Sequence, residues 1–148
     1  HRDVKPENVL LASPPKQVPL ESPAAVVKLC DFGYAVECRP DEPPALREFV
    51  GSADYLAPEV ARREAYGCAV DVWSAGAVLF ECLRGRAPFT ADTETETIRR
   101  IGETQVAFDD GWARVSAGAR ACVERLMVEQ TERPHAEAAL AHPWLDGA

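Results

Sequence analysis

Two short runs of aliphatic residues near the start of the chain predict β-strands, one at residues 9–11 and one at residues 26–30. The residues between them, 12–25, include Pro14, Pro15 and Pro19. Because proline removes a backbone donor and clashes with the preceding helical turn, these residues exclude a helix there. The pattern therefore predicts a β-hairpin whose strands are joined by a long, exposed, proline-rich insertion.

The longest apolar segment begins at Asp71 and continues to Phe80 with hydrophobic or small residues at nearly every position. A helix that is apolar on all sides is usually surrounded by protein, so this segment is expected to be the central helix of the domain. Gly85 and Pro88 predict its end. Residues 94–102 carry a charged, helix-permissive pattern that predicts a second helix.

A third helix is predicted by apolar residues at i, i+3, i+4, i+7 and i+8, namely Ala119, Cys122, Val123, Leu126 and Met127. Ser116 is in a position to cap its N-terminus. The last helix is expected over residues 136–141, where His135 occupies the cap position. A histidine cap should be weaker than a serine or threonine cap by about 1 kcal/mol.

Composition narrows the class of protein. The 148 residues are 47% hydrophobic and 27% charged, which is ordinary for one folded domain. The net charge is −8 without a basic cluster, which argues against nucleic acid or an anionic membrane and suits basic peptides as partners. No apolar run approaches the roughly 18 residues of a membrane span, and no secretory signal is visible, so an intracellular location is expected.

The cysteines are scattered along the chain and form no C-x-x-C pair, so neither a zinc site nor a disulfide framework is indicated. Reduced thiols are the simplest interpretation. Cys30 precedes Asp31 and is either a reactive thiol or, more simply, a small buried apolar residue.

The chemistry of the chain is concentrated in three motifs. Residues 1–8 read His-Arg-Asp-Val-Lys-Pro-Glu-Asn, residues 31–33 read Asp-Phe-Gly, and residues 57–59 read Ala-Pro-Glu. The first two motifs, which both carry an aspartate and stand on either side of the hairpin, together indicate a metal-assisted phosphoryl-transfer site. The order and spacing of all three together make a chance match a poor explanation.

These motifs resemble the H-R-D-x-K-x-x-N, D-F-G and A-P-E motifs of protein kinases. The resemblance implies an α+β protein-kinase-like fold, of which this chain would be only the mainly α-helical C-terminal lobe with its small β-hairpin. The chain starts on the catalytic histidine and shows no glycine-rich loop, strand lysine or partner glutamate. We therefore expect a partial kinase domain, with the N-terminal lobe absent and the activation segment at residues 31–59.

The resemblance assigns catalytic roles to particular residues. Asp3 would accept the proton of the substrate hydroxyl, and Lys5 would neutralise charge on the γ-phosphate. Asn8 and Asp31 would hold Mg²⁺ against the phosphates of ATP, so Lys5, Asn8 and Asp31 form the expected cofactor site. Ser52 in the activation segment is assigned to the catalytic set. Lysine at the second position after Asp3 resembles the Ser/Thr-specific branch.

Other matching residues are expected to support the site rather than contact substrate. Glu59 and Arg133 resemble the ion pair that clamps the activation segment to the lower lobe, and a stranded charge there should cost about 3–5 kcal/mol. Asp71 resembles the residue that hydrogen-bonds the catalytic-loop backbone, and His1 with Phe32 resembles half of a hydrophobic spine. The expected structural residues are His1, Phe32, Gly33, Glu59, Asp71 and Arg133.

The segments at residues 49–59, 71–76 and 141–145 resemble the calmodulin-dependent and calcium-dependent protein kinases. Val4 and Ala53 depart from the usual pattern without removing a functional atom. The chain has no EF-hand loop, so a calcium-binding module or a calmodulin-binding helix would lie outside it.

Specificity is expected to depend on Glu7 and Glu81, which match positions that bind an arginine beside the target Ser or Thr in basophilic relatives. Phe49 and Leu56 should line an apolar pocket just beyond the target hydroxyl. The alternative is that both glutamates are ordinary solvated surface residues.

Activation is expected to depend on Glu48, three residues before Gly51. At the position of Glu48, many kinases of this fold carry a threonine whose phosphorylation orders the activation loop. Its carboxylate should pair with Arg2 and hold the segment in its working shape. Activation would then need no phosphorylation of the loop. The alternative is an exposed glutamate beside Arg47 that contributes little.

Two function classes remain open: an active Ser/Thr kinase, and a pseudokinase or scaffold that uses the fold only for binding. The complete catalytic set favours the enzyme. Activity would belong to a full-length parent, because residues 1–148 alone are expected to be inactive and to leave the Trp73 side of the central helix uncovered. The Ser13–Pro14 and Ser22–Pro23 steps are either phosphorylation sites or part of a solvated loop.

Overall fold

The computed structural model of this protein describes residues 1–19, 22, 24–39, 42–103 and 105–146. Pro23 of the second Ser-Pro step, like residues 20 and 21 of the insertion, lies outside the described residues. The same holds for Pro40 and Asp41 of the activation segment.

The predicted β-hairpin is confirmed. Strand β1 (Val9–Leu11) pairs antiparallel with strand β2 (Val27–Leu29), and Val9 is the partner of Leu29 in this register. The second strand is shorter than the apolar run that predicted it. The described part of the insertion contains no helix and is mostly exposed.

The central helix, α2 (Ala69–Arg84), begins two residues before the predicted start at Asp71. It ends as predicted, because Gly85 adopts the left-handed conformation with φ of 71° and donates its N–H to the carbonyl of Glu81. Trp73, Ala77 and Phe80 are at most 1% exposed and form its inner face. Their spacing of three and four residues places them on one side of the helix.

The expectation that the Trp73 side of α2 is uncovered is wrong. Trp73 is fully buried, with its ring stacked against Phe89 at a centroid distance of 6.0 Å. The uncovered side lies opposite, where Ala75 is exposed and Leu79 is half-buried. Ala75 follows Trp73 by two positions, or about 200° around the helix, so the two residues cannot face the same way.

The uncovered side of α2 borders an open, largely apolar cavity of about 600 Å³. Ala75 and Leu79 line it from α2, and Cys122 and Leu126 line it from the helix that packs beside α2. We call this cavity the α2 groove. The apolar composition of α2 therefore reflects a core on one side and an open groove on the other.

The other helices are short. The predicted helix at residues 94–102 is α3 (Glu94–Gly102), and the predicted amphipathic helix is α4 (Ala117–Leu126), capped as expected by the Ser116 hydroxyl at 3.2 Å from the Ala119 nitrogen. Met127 lies beyond α4 but is still buried. Three more α-helices and three 3₁₀ helices complete the described residues: α1 (Pro58–Ala61), α5 (Ala136–Leu140), α6 (Pro143–Asp146), Pro6–Asn8, Ala53–Tyr55 and Asp110–Arg114.

The predicted last helix corresponds to α5, and the His135 side chain makes no capping bond, as expected. It is not the last helix, because α6 follows after His142. Proline at the first position of α6 suits a helix start, since that N–H would have no helical partner. In the part of the chain that the structure describes, no helix is long and apolar enough to cross a membrane.

Helices α2 and α4 pack through Gly76. A methyl group added to Gly76 would lie 2.7 Å from the Met127 Cγ and 2.9 Å from the Leu126 Cβ. These distances are too short for an alanine without movement of the neighbours. The glycine therefore permits the close approach of the two helices that form the centre of the core.

Candidate active site

The loop at residues 1–8 is attached to both the start of α2 and the hairpin. The Asp71 carboxylate accepts from the backbone nitrogens of His1 and Arg2 at 2.8 and 2.7 Å. The His1 Nε2 lies 2.9 Å from the carbonyl oxygen of Cys30. Arg2 has a φ of 70°, a strained value for a residue with a side chain, and the two bonds to Asp71 help to hold the loop in this shape.

Asp3 is the centre of the site. It is only 7% exposed, and its Oδ1 accepts from the backbone N–H of Ser52 at 2.9 Å. Its Oδ2 is 2.9 Å from the Lys5 Nζ and 3.3 Å from the Asn8 Nδ2. Lys5 also donates to the Ser52 hydroxyl at 2.7 Å. Three predicted site residues, Lys5, Asn8 and Ser52, therefore converge on the Asp3 carboxylate, although Ser52 is distant in sequence.

These contacts keep Asp3 ionised. Burial by itself would raise the pKa of Asp3, but hydrogen bonds from Lys5 and Ser52 and the charge of Lys5 outweigh it and lower that pKa. The pKa of Lys5 is raised chiefly by its hydrogen bond to Asp3, against burial, with the negative charges of Asp3, Glu7 and Asp31 adding to the effect. The site therefore holds a negative acceptor beside a positive charge.

Asn8 and Asp31 contribute oxygen atoms beside Asp3. The Asn8 amide nitrogen donates to both the backbone oxygen and the carboxylate of Asp3, at 2.9 and 3.3 Å, which leaves its Oδ1 for another partner. Asp31 is exposed, has a φ of 59°, and accepts from the Gly33 N–H at 3.3 Å. The Cys30 N–H donates to the Asn8 carbonyl at 3.0 Å, which ties the two motifs together through the hairpin.

The donor set of Asn8 and Asp31 suits Mg²⁺. This ion is hard, prefers oxygen, and is commonly bound by one or two protein oxygens together with substrate phosphates and water. Within the described ranges there is no cluster of three or more His, Cys, Asp or Glu side chains that could hold a metal ion. The residues present therefore fit a metal that is shared with a phosphate ligand rather than an all-protein cage.

Arg2 connects this loop to the activation segment. Its Nε donates to the Tyr34 carbonyl at 2.6 Å, and its Nη1 donates to the Tyr66 hydroxyl at 3.0 Å and lies 3.3 Å from the Glu48 carboxylate. Tyr66 in turn donates to the Glu48 carbonyl at 2.8 Å. The predicted neighbours Arg2 and Glu48 are therefore brought together, with Tyr66 between them.

Glu48 accepts mainly from backbone groups. Hydrogen bonds from its own N–H and that of Arg47 are the main causes that lower its pKa; burial acts against them, and the charge and hydrogen bond of Arg2 add smaller effects that lower it further. Its side chain is 60% exposed, so solvent screens the contact with Arg2.

Glu59 and Arg133 form a second ion pair that links the activation segment to a distant part of the chain. The Arg133 guanidinium donates to both carboxylate oxygens of Glu59 at 2.6 and 3.0 Å, and both side chains are at most 1% exposed. Arg133 also donates to the carbonyls of Val128 and Ala69 and lies over the Trp73 ring at 5.1 Å. The buried charges are thus fully surrounded by partners.

The predicted substrate residues fall into two groups. Glu81 accepts from the Tyr55 hydroxyl at 2.6 Å, and burial together with the charges of Glu81, Glu7 and Asp54 raises the pKa of Tyr55. Glu7 and Glu81 therefore border one acidic surface, which we call the acidic patch, although no direct contact joins them in the described structure.

The other two predicted substrate residues, Phe49 and Leu56, are covered to different extents. Leu56 is buried in the core, and Phe49 is half-buried under the Arg63 guanidinium, which lies 4.5 Å from the centre of its ring.

His1 and Phe32 meet edge to face with ring centroids 4.8 Å apart, as the spine resemblance requires. Phe32 is nevertheless 61% exposed, as are the nearby strand residues Leu10, Val27 and Leu29 at 45–62%. The pairing of Leu10 with Lys28 puts Leu10 on one face of the hairpin and Val27 with Leu29 on the other, so both faces and Phe32 carry exposed apolar side chains. A surface of this kind indicates that another body of protein or a ligand covers it.

Sequence reasoning missed Tyr55 and Tyr66, whose hydroxyls join Glu81 and Arg2 to the activation segment. Tyr66 is 1% exposed. The only signal available was general, since a buried tyrosine hydroxyl usually has a hydrogen-bond partner. The sequence does not show which partner.

Taken together, a helical domain with a small hairpin presents an ionised carboxylate, a lysine, and two oxygen ligands for a phosphate-bound metal on one surface. This fold and the arrangement of these residues are those of the C-terminal lobe of a protein kinase domain.

Comparison with known proteins agrees. Residues 1–145 match the protein kinase domain family. The chain is 43% identical over 150 aligned residues to Calcium-dependent protein kinase 9 of Oryza sativa subsp. japonica, covering 100% of this chain and 24% of that protein. It is 41% identical over 147 residues to Calcium-dependent protein kinase 9 of Arabidopsis thaliana, covering 98% of this chain and 25% of that protein.

A further relative is Calcium/calmodulin-dependent serine/threonine-protein kinase 1 of Oryza sativa subsp. japonica, which is 38% identical over 149 residues, or 99% of this chain and 23% of that protein. The chain belongs to the protein kinase domain family, and the resemblance to the calcium-dependent group is confirmed. It spans about a quarter of the length of the curated relatives it matches.

Proposed function

We propose that the protein containing these residues transfers the γ-phosphoryl group of ATP to Ser or Thr hydroxyls of protein substrates. The observation that carries this proposal is the buried Asp3 carboxylate held between the Ser52 N–H and the Lys5 ammonium. A carboxylate fixed in this way suits a base that receives a proton from an incoming hydroxyl. The similarity to Ser/Thr kinases supports the choice of substrate class.

Asp3, Lys5, Asn8 and Asp31 would each have a distinct role in phosphoryl transfer. Asp3 orients the hydroxyl and takes its proton while the hydroxyl oxygen bonds to the γ-phosphorus and the bond to the ADP oxygen breaks. Lys5 neutralises charge on the transferred group, and its bond to Ser52 holds it in place. Asn8 and Asp31 would hold Mg²⁺, which when bound neutralises negative charge on the phosphates of ATP.

The test is the Asp3→Asn variant of the full-length protein. The amide keeps the shape but cannot accept the proton, so kcat should fall by about 10²–10⁴-fold while nucleotide binding changes little. Asp92→Asn, a change at an exposed carboxylate outside the site, is the matched control and should leave kcat unchanged.

A wild-type protein that binds ATP and peptide but transfers no phosphoryl group would instead support the pseudokinase or scaffold alternative. Equal activity of the wild type and Asp3→Asn would contradict the assigned role of Asp3. Folding of each variant is checked by circular dichroism, so that loss of structure is not taken for loss of chemistry.

We also propose that residues 1–148 are inactive by themselves. The apolar surface around Phe32 is uncovered, so the described residues provide only one wall for a nucleotide. The α2 groove is open as well, and the helix that precedes the catalytic loop in kinases is its proposed occupant. A folded 148-residue chain that phosphorylates a peptide at a rate abolished by Asp3→Asn would refute this proposal.

The proposed substrates carry an arginine near the target Ser or Thr. Support comes from the acidic patch, where the Glu81 carboxylate accepts from the Tyr55 hydroxyl and the negative charges of Glu81, Glu7 and Asp54 together raise the pKa of that tyrosine. The net charge of −8 agrees with basic peptides as partners. Regulation by a calcium sensor or calmodulin is proposed only through regions outside this chain, on the names of the relatives.

A further inference from the structure

Two half-buried cysteines that the proposed chemistry does not use lie side by side. Cys38 belongs to the activation segment, and Cys68 immediately precedes α2. The two side chains are neighbours that line one recess, although 30 positions separate them in the sequence. The contact therefore joins the activation segment to the base of the central helix.

Backbone contacts hold the two segments together independently of the sulfur atoms. Leu46 and Tyr66 exchange both of their N–H···O bonds at 3.0 and 2.9 Å, so the activation segment runs antiparallel to the residues before α2. Gly67 lies directly beneath Cys38, since a Cβ added to Gly67 would be 3.8 Å from the Cys38 Sγ. The pairing of the thiols thus follows from the chain path, not from two mobile side chains.

Both thiols are next to open space. Cys38 and Cys68 both line a recess of about 190 Å³ beside Arg2 and Asp71, apart from the side of α2 that the helix before the catalytic loop is proposed to cover. Small reagents can enter this recess, and the cysteine side chains can rotate within it. A disulfide requires the two sulfurs to approach to about 2.05 Å, so both side chains must turn towards each other.

We propose that Cys38 and Cys68 form a reversible disulfide, with a low-molecular-weight disulfide such as oxidised glutathione as the oxidant. The Cys38 thiolate attacks one glutathione sulfur, forming a mixed disulfide and releasing one glutathione thiolate. The Cys68 thiolate then attacks the Cys38 sulfur and displaces the second glutathione thiolate. The protons lost by the two cysteines are recovered on the two glutathione thiols, so the protein dithiol is oxidised and one disulfide is reduced.

The Cys68 environment makes this exchange slow rather than fast. Burial, the hydrogen bond from Cys38 and the negative charge of Asp71 all raise the pKa of the Cys68 thiol, although its own backbone hydrogen bond acts in the opposite direction. Thiolate is the attacking species, so little of Cys68 is reactive at neutral pH. The pair therefore responds to a sustained change in thiol–disulfide balance.

The disulfide would close a loop that contains Glu48, Ser52 and Glu59. Such a link restricts the unfolded chain and stabilises the folded form. It also fixes the activation segment against α2. The oxidised protein should therefore have a higher thermal midpoint and resist tryptic cleavage after Arg47, and both properties should return to their starting values after reduction with dithiothreitol.

The experiment uses the full-length protein, equilibrated with excess oxidised glutathione at pH 8, alkylated with N-ethylmaleimide and digested without reduction. Cleavage after glutamate separates Cys38 from Cys30 at Glu37, and separates Cys68 from Cys82 at Glu81. Mass spectrometry should find one peptide pair joining Cys38 to Cys68, which disappears on reduction. This readout needs no kinase activity, so it is independent of the proposed function.

The variants Cys38→Ser and Cys68→Ser should each abolish the linked pair and the rise in thermal midpoint. Cys82→Ser, at an exposed cysteine away from the pair, should retain both. Recovery of the two residues as thiols or as glutathione adducts at equilibrium would overturn the proposal. A link from Cys38 to any other cysteine would overturn it equally.

Discussion

The Arg133 guanidinium donates to both oxygens of the Glu59 carboxylate across 74 positions of sequence, in a site from which water is excluded. Glu59 belongs to α1, at the end of the activation segment, and Arg133 lies between α4 and α5. The pair thus fixes the end of that segment to the helical core.

Removal of one partner of this pair should be strongly destabilising. Glu59→Gln leaves the Arg133 charge buried without its counter-charge, and we expect the free energy of unfolding to fall by about 3–5 kcal/mol in urea denaturation. The control, Glu124→Gln, disrupts the exposed Glu124–Arg120 pair and should change stability by less than about 0.5 kcal/mol. Similar losses in both variants would show that the buried pair is not a clamp.

Gly76→Ala should destabilise the protein even though alanine favours helices. Helix propensity alone predicts a gain of about 1 kcal/mol. The added methyl group would, however, lie within 3 Å of Leu126 and Met127, and overpacking of this kind costs about 1–3 kcal/mol. The control is Gly102→Ala in α3, where the nearest atom is the Arg62 Cγ at 3.6 Å and no loss is expected. Thermal unfolding of the two variants measures the difference.

The Glu48 carboxylate should support activity without phosphorylation. Because its side chain is 60% exposed, we expect Glu48→Gln and Glu48→Ala to lower kcat/KM by only about 2–5-fold, the range of a screened ion pair. Phosphatase treatment of the wild type should have no effect. Activity that collapses after phosphatase treatment, or that survives both substitutions unchanged, would show that Glu48 does not take the place of loop phosphorylation.

The acidic patch should give the enzyme a preference for peptides that carry an arginine near the target Ser or Thr. Glu81→Ala should raise KM for an arginine-containing peptide by about tenfold, with little change in kcat, because it removes a charged hydrogen bond. The same variant should not affect a peptide in which alanine replaces the arginine. Glu7→Ala tests the other side of the patch, and a library screen that shows no arginine preference would eliminate the idea.

The lowered pKa of Asp3 predicts a pH dependence of stability. A carboxylate whose folded pKa lies below its ordinary value of 3.8 stabilises the folded state above the unfolded pKa, and this contribution is lost as the pH falls through the folded value. The stability difference between the wild type and Asp3→Asn should therefore be constant from pH 7 to about pH 5 and shrink below about pH 4. A difference that changes between pH 6 and 7 would mean that Asp3 is not held ionised.

The sequence alone determined those elements whose signals depend only on neighbouring residues. Prolines excluded a helix at residues 12–25, Gly85 ended α2, and Ser116 capped α4, because each effect needs only neighbouring backbone groups. The motif order also indicated which residues carry the chemistry, since Asp3, Lys5 and Asn8 lie within six positions of one another.

Tertiary structure decided which face of α2 is covered. The segment is apolar nearly throughout, so its sequence has no polar stripe from which to derive an orientation, and the expectation that Trp73 would be uncovered was wrong. The packing of α4 against Gly76 and the stacking of Trp73 on Phe89 fix the rotation of the helix. The contacts of Tyr66 and of Cys38 with Cys68 were equally invisible, because a hydroxyl or thiol has many possible partners and only the folded chain path brings one of them within reach.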